Sequence, residues 1–164
     1  MSSSRLSIPL EGVEAVVRET SQYGMSCLET GGFFLAHSGE SIISSIAMAG
    51  NTGVSRHHNF FQISASAIDR LFVYADAAGY WIPAQFHSHR FTADMSLVDE
   101  DHGFRAEDFI STILPHYNKP PNHPENWTWW KFSGGSWVTS QSAMLYNGCL
   151  ECIVEFDEDG VRDR

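Results

Sequence analysis

The segment YWIPAQFHSH at residues 80–89 constrains the fold of this chain more than any other feature. In a β-strand, alternate side chains point to opposite faces of the sheet. As a strand, the segment places Trp81, Gln85, His87 and His89 on one face and Ile82, Ala84, Phe86 and Ser88 on the other. Both faces carry large apolar groups, so the strand needs cover on two sides. We therefore predict a central strand of a mixed sheet in an α+β domain.

The other elements follow from helix and turn signals along the chain. Pro9 is placed to open a helix over residues 9–23, and Ser64 is placed to cap a second helix that ends at Gly79. Short apolar runs between turn residues predict strands at 33–36, 42–49, 60–63, 109–114, 127–132 and 136–138. The run at 60–63 is expected to extend the sheet that the first hairpin forms. Residues 115–126 have the proline-rich composition of a loop.

Length and composition indicate a single domain. The chain has 164 residues, of which 43% are hydrophobic and 18% are charged, and this is enough apolar material for one core. Neither disulfides nor oligomerisation is required for such a core, and the oligomeric state stays open. We expect a flexible N-terminus at residues 1–7, the domain at 8–156 and a frayed acidic tail at 157–164.

Charge and cysteine content limit the partners and the compartment. A formal charge of -10 and a pI near 5.1 argue against nucleic acid as a partner. The longest uncharged stretch, at 41–54, is too short and too polar to cross a membrane, and the first residues lack the apolar core of a secretory signal. The three cysteines cannot all pair with one another, which suits a reducing compartment. We therefore expect a cytoplasmic protein with free thiols.

The His87-Ser88-His89 motif is a candidate metal site. Residues two apart on a strand share a face, so both imidazoles can reach one ion, and Asp99 lies ten residues beyond His89. Two histidines and a carboxylate suit a catalytic zinc site with an open position for water. The neighbouring side chains that could compete with Asp99 as the third ligand are Asp94, Asp101 and His102. Ser96 stands three residues before Asp99, a spacing that is also typical of a helix start.

These motifs together resemble the JAMM (MPN-domain) zinc metalloproteases, whose pattern is a distant glutamate, His-x-His and then Ser-x-x-Asp. The matching segments are CLETGGFFLAH with Glu29, QFHSHRF with His87 and His89, and MSLVDED with Ser96 and Asp99. The resemblance extends over about residues 8–140. It implies a cytidine-deaminase-like three-layer α/β/α fold. The chain departs from the family at Arg90, where proline is common, and in the short spacer before Ser96.

The resemblance also implies a role for each motif residue. His87, His89 and Asp99 would bind Zn2+, Glu29 would take a proton from the attacking water, and Ser96 would help to stabilise the tetrahedral intermediate. Four histidines outside such a site are expected to be exposed, namely His57, His58, His116 and His123.

The implied function is a zinc isopeptidase that removes a ubiquitin-like protein with a Gly-Gly tail from its conjugates or trims its C-terminus. The small single-domain build resembles bacterial stand-alone members, some of which serve antiviral conjugation systems. Two alternatives stay open. One is a peptidase that trims the C-terminal extension of a sulfur-carrier protein, and the other is a metal-free MPN scaffold that binds without cutting.

Overall fold

A computed structural model describes residues 5–102 and 104–164 of the chain. The helices in these residues are α1 (Leu10–Gly24), α2 (Ala65–Ala78) and α3 (Leu97–His102), with a short 3-10 turn at Pro124–Asn126. The strands are β1 (Ser7–Pro9), β2 (Gly31–His37), β3 (Ile43–Ala49), β4 (Val54–Arg56), β5 (Phe61–Ile63), β6 (Tyr80–Ser88), β7 (Ile110–Leu114), β8 (Thr128–Ser133), β9 (Ser136–Thr139), β10 (Met144–Tyr146), β11 (Cys152–Asp157) and β12 (Gly160–Asp163).

Eight of these strands form one mixed sheet in the order β12-β11-β3-β2-β6-β7-β8-β9. The pairs β3 with β11 and β6 with β7 are parallel, and the remaining neighbours are antiparallel. Strand β6 lies in the interior of the sheet, as its two apolar faces predict. Two small sheets, β1 with β10 and β4 with β5, lie outside it.

The sheet is covered on both faces, which confirms the predicted three-layer α+β architecture. Successive residues of β2 alternate between two cores: Phe34 packs with Val13 and Val16 of α1, whereas Phe33 packs with Leu71 of α2. Burial of these side chains in both layers is the main favourable contribution to folding. The predicted helices and both predicted hairpins are also confirmed.

Helix α2 begins and ends where its sequence predicts. The Ser64 side chain accepts a hydrogen bond from the Ala67 N–H at 3.2 Å, so Ser64 is the N-cap. Gly79 follows the last turn in the left-handed conformation, with φ of 79°, which glycine adopts without steric cost. Helix α1 begins after Pro9, one residue later than predicted.

Strand β6 contains a β-bulge that the alternation pattern does not reveal. Phe34 of β2 lies opposite Ala84, but Ala36 lies opposite Trp81, so β6 carries one extra residue between these pairs. Ile82 therefore packs in the α2 core, while Phe86 packs in the α1 core. The prediction that Ile82 shares a face with Phe86 is wrong, because Pro83 lacks an N–H for the ladder and the bulge absorbs it.

Two further expectations need correction. The segment predicted at 60–63 does not extend the main sheet, because β5 pairs only with β4 in a separate hairpin. The last residues do not fray, since β12 pairs with β11 as an outer strand of the main sheet. Of the segment 1–7, Leu6 is buried and Ser7 belongs to β1, and residues 1–4 lie outside the described residues.

Ion pairs hold the C-terminal strand in place. The Asp157 carboxylate is buried and accepts hydrogen bonds from the Arg162 guanidinium at 2.7 and 3.1 Å and from the Asn51 N–H at 3.0 Å. Arg164 donates to Glu19 of α1 at 2.8 Å. An acidic composition therefore does not leave this segment unstructured, because its two arginines are paired with buried or half-buried acids.

The described chain also bears on the expectations about membranes and cysteines. None of its helices combines the length and the apolar character that a membrane span requires. Cys27, Cys149 and Cys152 are free thiols, as expected.

Replacing Arg162 by methionine should lower the free energy of unfolding by about 1.5–3 kcal/mol at pH 7, the usual contribution of hydrogen bonds to charged groups. The Arg162 hydrogen bonds hold the pKa of Asp157 well below its usual range. This stabilisation is therefore present at neutral pH and lost as the pH falls below about 4, where the unfolded carboxyl takes up a proton.

Urea unfolding of the wild type and of Arg162→Met at pH 7 and at about pH 3 measures the loss of stability. The difference in unfolding free energy between the two proteins should be smaller at the lower pH. The matched control is Arg70→Met, which removes an exposed arginine of α2. Equal destabilisation by the two substitutions would contradict a specific role for the Arg162 pair.

Candidate metal centre

His87 and His89 lie at the C-terminal end of β6. Because they are two residues apart on an extended chain, their rings point to the same side, and their Nε2 atoms lie 3.1 Å apart. His87 is 7% exposed and Ser88 between them is fully buried. Hydrogen bonds also fix the backbone just after the strand ends. The His89 N–H donates to the Leu114 carbonyl, and the His89 carbonyl accepts from the Tyr117 N–H.

Asp99 reaches this pair from helix α3. The Ser96 Oγ accepts from the Asp99 N–H at 3.1 Å, and the Asp99 Oδ2 accepts from the Ser96 N–H at 2.9 Å. This reciprocal pair is the capping box that the Ser-x-x-Asp spacing predicts, with aspartate in place of glutamate. It fixes the carboxylate at the start of the helix and directs it to the histidines. Ser96 is exposed beside the site, and its hydroxyl hydrogen is not used in the cap.

The three side chains converge on one point. The Asp99 Oδ1 lies 3.2 Å from the His87 Nε2, and its Oδ2 lies 3.1 Å from the His89 Nε2. Tetrahedral zinc with ligand bonds of about 2.0–2.1 Å separates neighbouring ligand atoms by roughly 3.3 Å. The spacing of His87, His89 and Asp99 therefore fits a single small divalent cation. Among the described residues, this is the group of metal-ligating side chains that meets such a spacing.

The tautomer of His89 also suits a metal ligand. Its Nδ1 lies 3.0 Å from the Thr92 carbonyl oxygen, which can only accept, so Nδ1 carries the proton. In the neutral ring the Nε2 lone pair then points at the site. Hydrogen bonds of this kind orient metal-binding histidines in many proteins.

The electrostatics of the site favour a positive charge. Burial alone would raise the pKa of Asp99, but hydrogen bonds from His87 and His89 outweigh it and hold that pKa well below its usual range. Burial opposes the charged form of His89, yet the hydrogen bond and charge of Asp99 raise its pKa. Either a proton on the histidines or a bound divalent cation can supply this positive charge, and binding of a metal ion would displace the proton.

Glu29 lies beside this group on a separate element. It follows the turn after α1, is 5% exposed, and its N–H donates to the His57 carbonyl at 2.9 Å. Burial raises the pKa of its carboxyl to about 7, while His89 lowers it and Asp99 raises it further. The Glu29 carboxylate is thus close enough to interact electrostatically with His89 and Asp99. Burial brings its pKa into the range that suits a general base.

The Thr30–Ser88 contact holds Glu29 in position. The Ser88 Oγ accepts from the Thr30 N–H at 3.0 Å and is 3.3 Å from the Thr30 carbonyl, which also accepts from the Ser88 N–H at 2.9 Å. The Arg56 Nε donates to the Thr30 Oγ1 at 3.1 Å. Three hydrogen bonds therefore join Thr30, which follows Glu29, directly to Ser88, which lies between the two histidines.

The two glycines after Thr30 permit this close approach. A Cβ atom at Gly31 would lie 2.4 Å from the Phe86 carbonyl oxygen, and one at Gly32 would lie 2.1 Å from the Ala47 carbonyl oxygen. Such contacts are far inside van der Waals distance, so only glycine fits both positions. Gly31 pairs directly with His87, which brings the Glu-Thr-Gly-Gly segment to the histidines.

Three other side chains were candidates for the third ligand in place of Asp99. Asp94 is exposed and does not belong to the His87, His89 and Asp99 group. The side chains of Asp101 and His102 lie outside the described part of the chain. The four histidines predicted to be exposed, His57, His58, His116 and His123, are exposed.

A groove of about 290 Å3 opens beside His87 and Asp99. Its walls come from β2, β6, the β4–β5 hairpin and the first turn of α2, and they include Phe33, Phe61, Gln62, Ile63, Ile68 and Gln85. A narrow groove beside the metal was expected for a Gly-Gly tail, but its lining residues and the roles of Ser88 and Thr92 were not predicted from the sequence. Only Ser88 had a visible signal, since a polar residue between two ligands on a central strand needs a buried partner.

The fold has known structural relatives. The solution structure of protein DSY2949 from Desulfitobacterium hafniense superposes with a TM-score of 0.66 and 16% identity, covering 89% of this chain and 95% of that one. The crystal structure of AF2198, a JAB1/MPN domain protein from Archaeoglobus fulgidus, superposes with a TM-score of 0.52 and 12% identity, covering 88% and 100%. The fold is MPN-like. No protein-family model matches the sequence, and a search of curated proteins finds no match.

An MPN-like fold and a His-His-Asp group are therefore found in the same chain. The histidines lie at the end of an interior strand, and the carboxylate lies on the short helix that follows it. At 12–16% identity these two structures show only that the fold is shared, so the chemistry has to be inferred from the site.

Replacing Ser88 by alanine should destabilise the protein by about 1–3 kcal/mol, because the buried Thr30 N–H loses its partner. Urea unfolding measures the loss, and Ser136→Ala, at an exposed serine of β9, is the matched control. A Ser88→Ala protein as stable as the control would contradict the role of this hydroxyl as the link between the two segments.

Proposed function

We propose that the chain is a zinc-dependent hydrolase that cuts the peptide or isopeptide bond after the C-terminus of a ubiquitin-like protein. The observation that carries this proposal is the convergence of the His87 and His89 Nε2 atoms and the Asp99 carboxylate at 3.1–3.2 Å, beside buried Glu29. The MPN-like fold supports it, and the sequence resemblance to JAMM metalloproteases supplies the substrate class.

His87, His89 and Asp99 would hold the ion through two neutral imidazole nitrogens and one carboxylate oxygen. When bound, zinc would polarise the scissile carbonyl and lower the pKa of a water molecule towards about 7. The same set of two histidines and one carboxylate suits zinc when three protein ligands leave one position open. Thr92 keeps His89 in the required tautomer.

Glu29 is the proposed proton carrier. Its carboxyl is buried and lies on the segment paired with β6, so it can act at the site without being one of the three ligands. As a general base it takes a proton from the attacking water, and it then gives that proton to the leaving amine. Its raised pKa, about 7, suits both transfers at neutral pH.

Ser96 and the groove complete the proposed active site. The Ser96 hydroxyl can donate to the oxyanion that develops on the scissile carbonyl, because its cap role uses only a lone pair. The groove beside His87 and Asp99 has room for an extended chain end rather than a folded segment. Glycine in such a tail would let two backbones approach closely.

The wild-type protein, purified without added metal, should contain about one zinc ion per chain. His89→Ala should lose the ion, with a larger fall in affinity than the roughly 10–100-fold that changes in the second shell cause. Glu29→Gln should retain it, because no ligand is removed. Metal analysis of the purified proteins gives the result. A wild-type chain without metal that also ignores chelators would indicate a scaffold instead of an enzyme.

Glu29→Gln should lower turnover by about 100- to 10,000-fold, the usual contribution of a general base. The substrates are candidate ubiquitin-like proteins with short C-terminal fusions, and intact mass identifies the bond that is cut. The matched control is Glu14→Gln, which changes an exposed glutamate of α1. Cleavage by Glu29→Gln at the rate of the control would remove Glu29 from the mechanism.

A panel of modifiers separates the substrate classes. Preferential cleavage of sulfur-carrier fusions would favour that alternative with the same bond chemistry. Absence of cleavage by a zinc-loaded wild type across both classes would contradict the proposed substrate.

A further inference from the structure

A second cavity lies at the opposite end of β6 from His87. Its volume is about 520 Å3, larger than the groove beside the metal centre. Pockets that hold small organic molecules measure about 300–1,000 Å3. The cavity lies among the first residues of β6 and β7 and the last residues of β8 and β9, and its lining includes Trp81, Ile82, Phe109, Trp129, Lys131 and Ala143.

The strand pairing produces this cavity. Strand β6 begins at Tyr80, but its pairing with β7 begins only at Ala84 opposite Ile110. The first four residues of β6 therefore have no partner on the β7 side. The missing partner leaves room at this end of the sheet, and the segments 104–109 and 140–143 complete the walls.

The walls offer aromatic faces and few free donors. The Trp81 indole N–H donates to the Glu40 carbonyl at 2.9 Å, and the Trp129 indole N–H donates to the Pro124 carbonyl at 2.7 Å. Both indoles are therefore fixed, with their polar atoms already bonded. Phe104 and Phe109 pack against each other with centroids 5.1 Å apart. Such a surface favours a flat apolar ligand, which can stack on or meet the edges of these rings.

The charged groups of the lining set the preferred charge of a ligand. Arg5 and Lys131 are the cations. The Arg5 guanidinium donates to the Ser142 carbonyl at 2.6 Å and to the Ser142 hydroxyl at 3.2 Å, whereas no hydrogen bond or ion pair of the Lys131 ammonium is found within the described residues. Of the two acids, the Glu107 carboxylate is already bonded to the Ser133 hydroxyl and the Gly134 N–H, each at 3.2 Å. Asp108 is the remaining acid, and it is exposed. The formal charges of the lining therefore cancel, but Lys131 is half-buried and lacks an acidic partner among the described residues, so a ligand carboxylate would supply its counter-charge.

We propose that this cavity binds a small aromatic carboxylate, with the ring between the indole and phenyl walls and the carboxylate at Lys131 and Arg5. The site is separate from the metal centre and takes no part in the hydrolysis. Its occupation does not depend on zinc or on Glu29, so its test needs no enzymatic activity.

The test is calorimetric titration of the full chain with two probes that share a ring and differ in charge. Indole-3-acetate carries a carboxylate, and tryptamine carries an ammonium group. We expect one indole-3-acetate to bind per chain and tryptamine to bind about fivefold more weakly or worse, the size of one partly exposed charge interaction. Tryptamine that binds as tightly as indole-3-acetate, or no saturable binding of indole-3-acetate, would overturn the proposal.

Variants locate the binding. The chain has two lysines, which provide a matched pair. Lys131→Met should weaken indole-3-acetate binding about fivefold, whereas Lys119→Met, at an exposed site outside the cavity, should leave it unchanged. Equal effects of the two substitutions would place the probe elsewhere on the surface and refute the assigned site.

A second pair of variants tests the aromatic walls. Ala143→Leu should fill part of the cavity and reduce binding, provided that thermal unfolding shows an intact fold. Trp81→Ala removes a wall whose side chain is 43% exposed, so it is expected to fold and should also weaken binding. Unchanged affinity in folded Trp81→Ala contradicts stacking in this cavity, whatever the outcome for Ala143→Leu.

Discussion

The antiparallel pairing of β2 with β6 is the constraint on which the candidate site depends. Its register places Gly31 opposite His87, and the Thr30–Ser88 hydrogen bonds join the two segments one residue away. Glu29, the proposed general base, lies just before β2, and the two candidate ligands lie at the end of β6, so this pairing brings them together. A shift of this register by one residue would turn the two histidines to the other face of the sheet. The close approach of strands at Gly31 and Gly32 is what makes this register possible.

Much of the fold, and the grouping of the candidate ligands, could be predicted from local patterns. The Ser64 cap, the Gly79 stop and the glycine turns act within a few residues, so the sequence near them contains the necessary information. His87 and His89 share a face because a strand alternates, and Ser96 with Asp99 forms a capping box because a helix begins there. The position of Glu29 beside them could be expected only from the family resemblance, since it depends on pairing between distant segments.

The errors arise where tertiary contacts override local pattern. Ile82 changes face because of a bulge, and the bulge depends on how Pro83 meets a partner strand. The C-terminal strand has the composition of a solvated tail, yet its arginines pair with Glu155 and Asp157 of the preceding strand and with Glu19 at the other end of the chain. The β5 segment has strand character, but nothing in its residues determines which strand it joins. In each case a contact between different elements decides the outcome, and the pattern within the segment does not specify it.

The double use of the Asp99 carboxylate links local order to ligand geometry. The same group that closes the first turn of a six-residue helix also faces two imidazoles. A helix of that length gains little from its own backbone bonds and relies on external contacts. In the proposed zinc-bound protein, formation of this helix and binding of the ion would therefore be one cooperative step, and the ion would add to the folding free energy of the segment that carries Asp99.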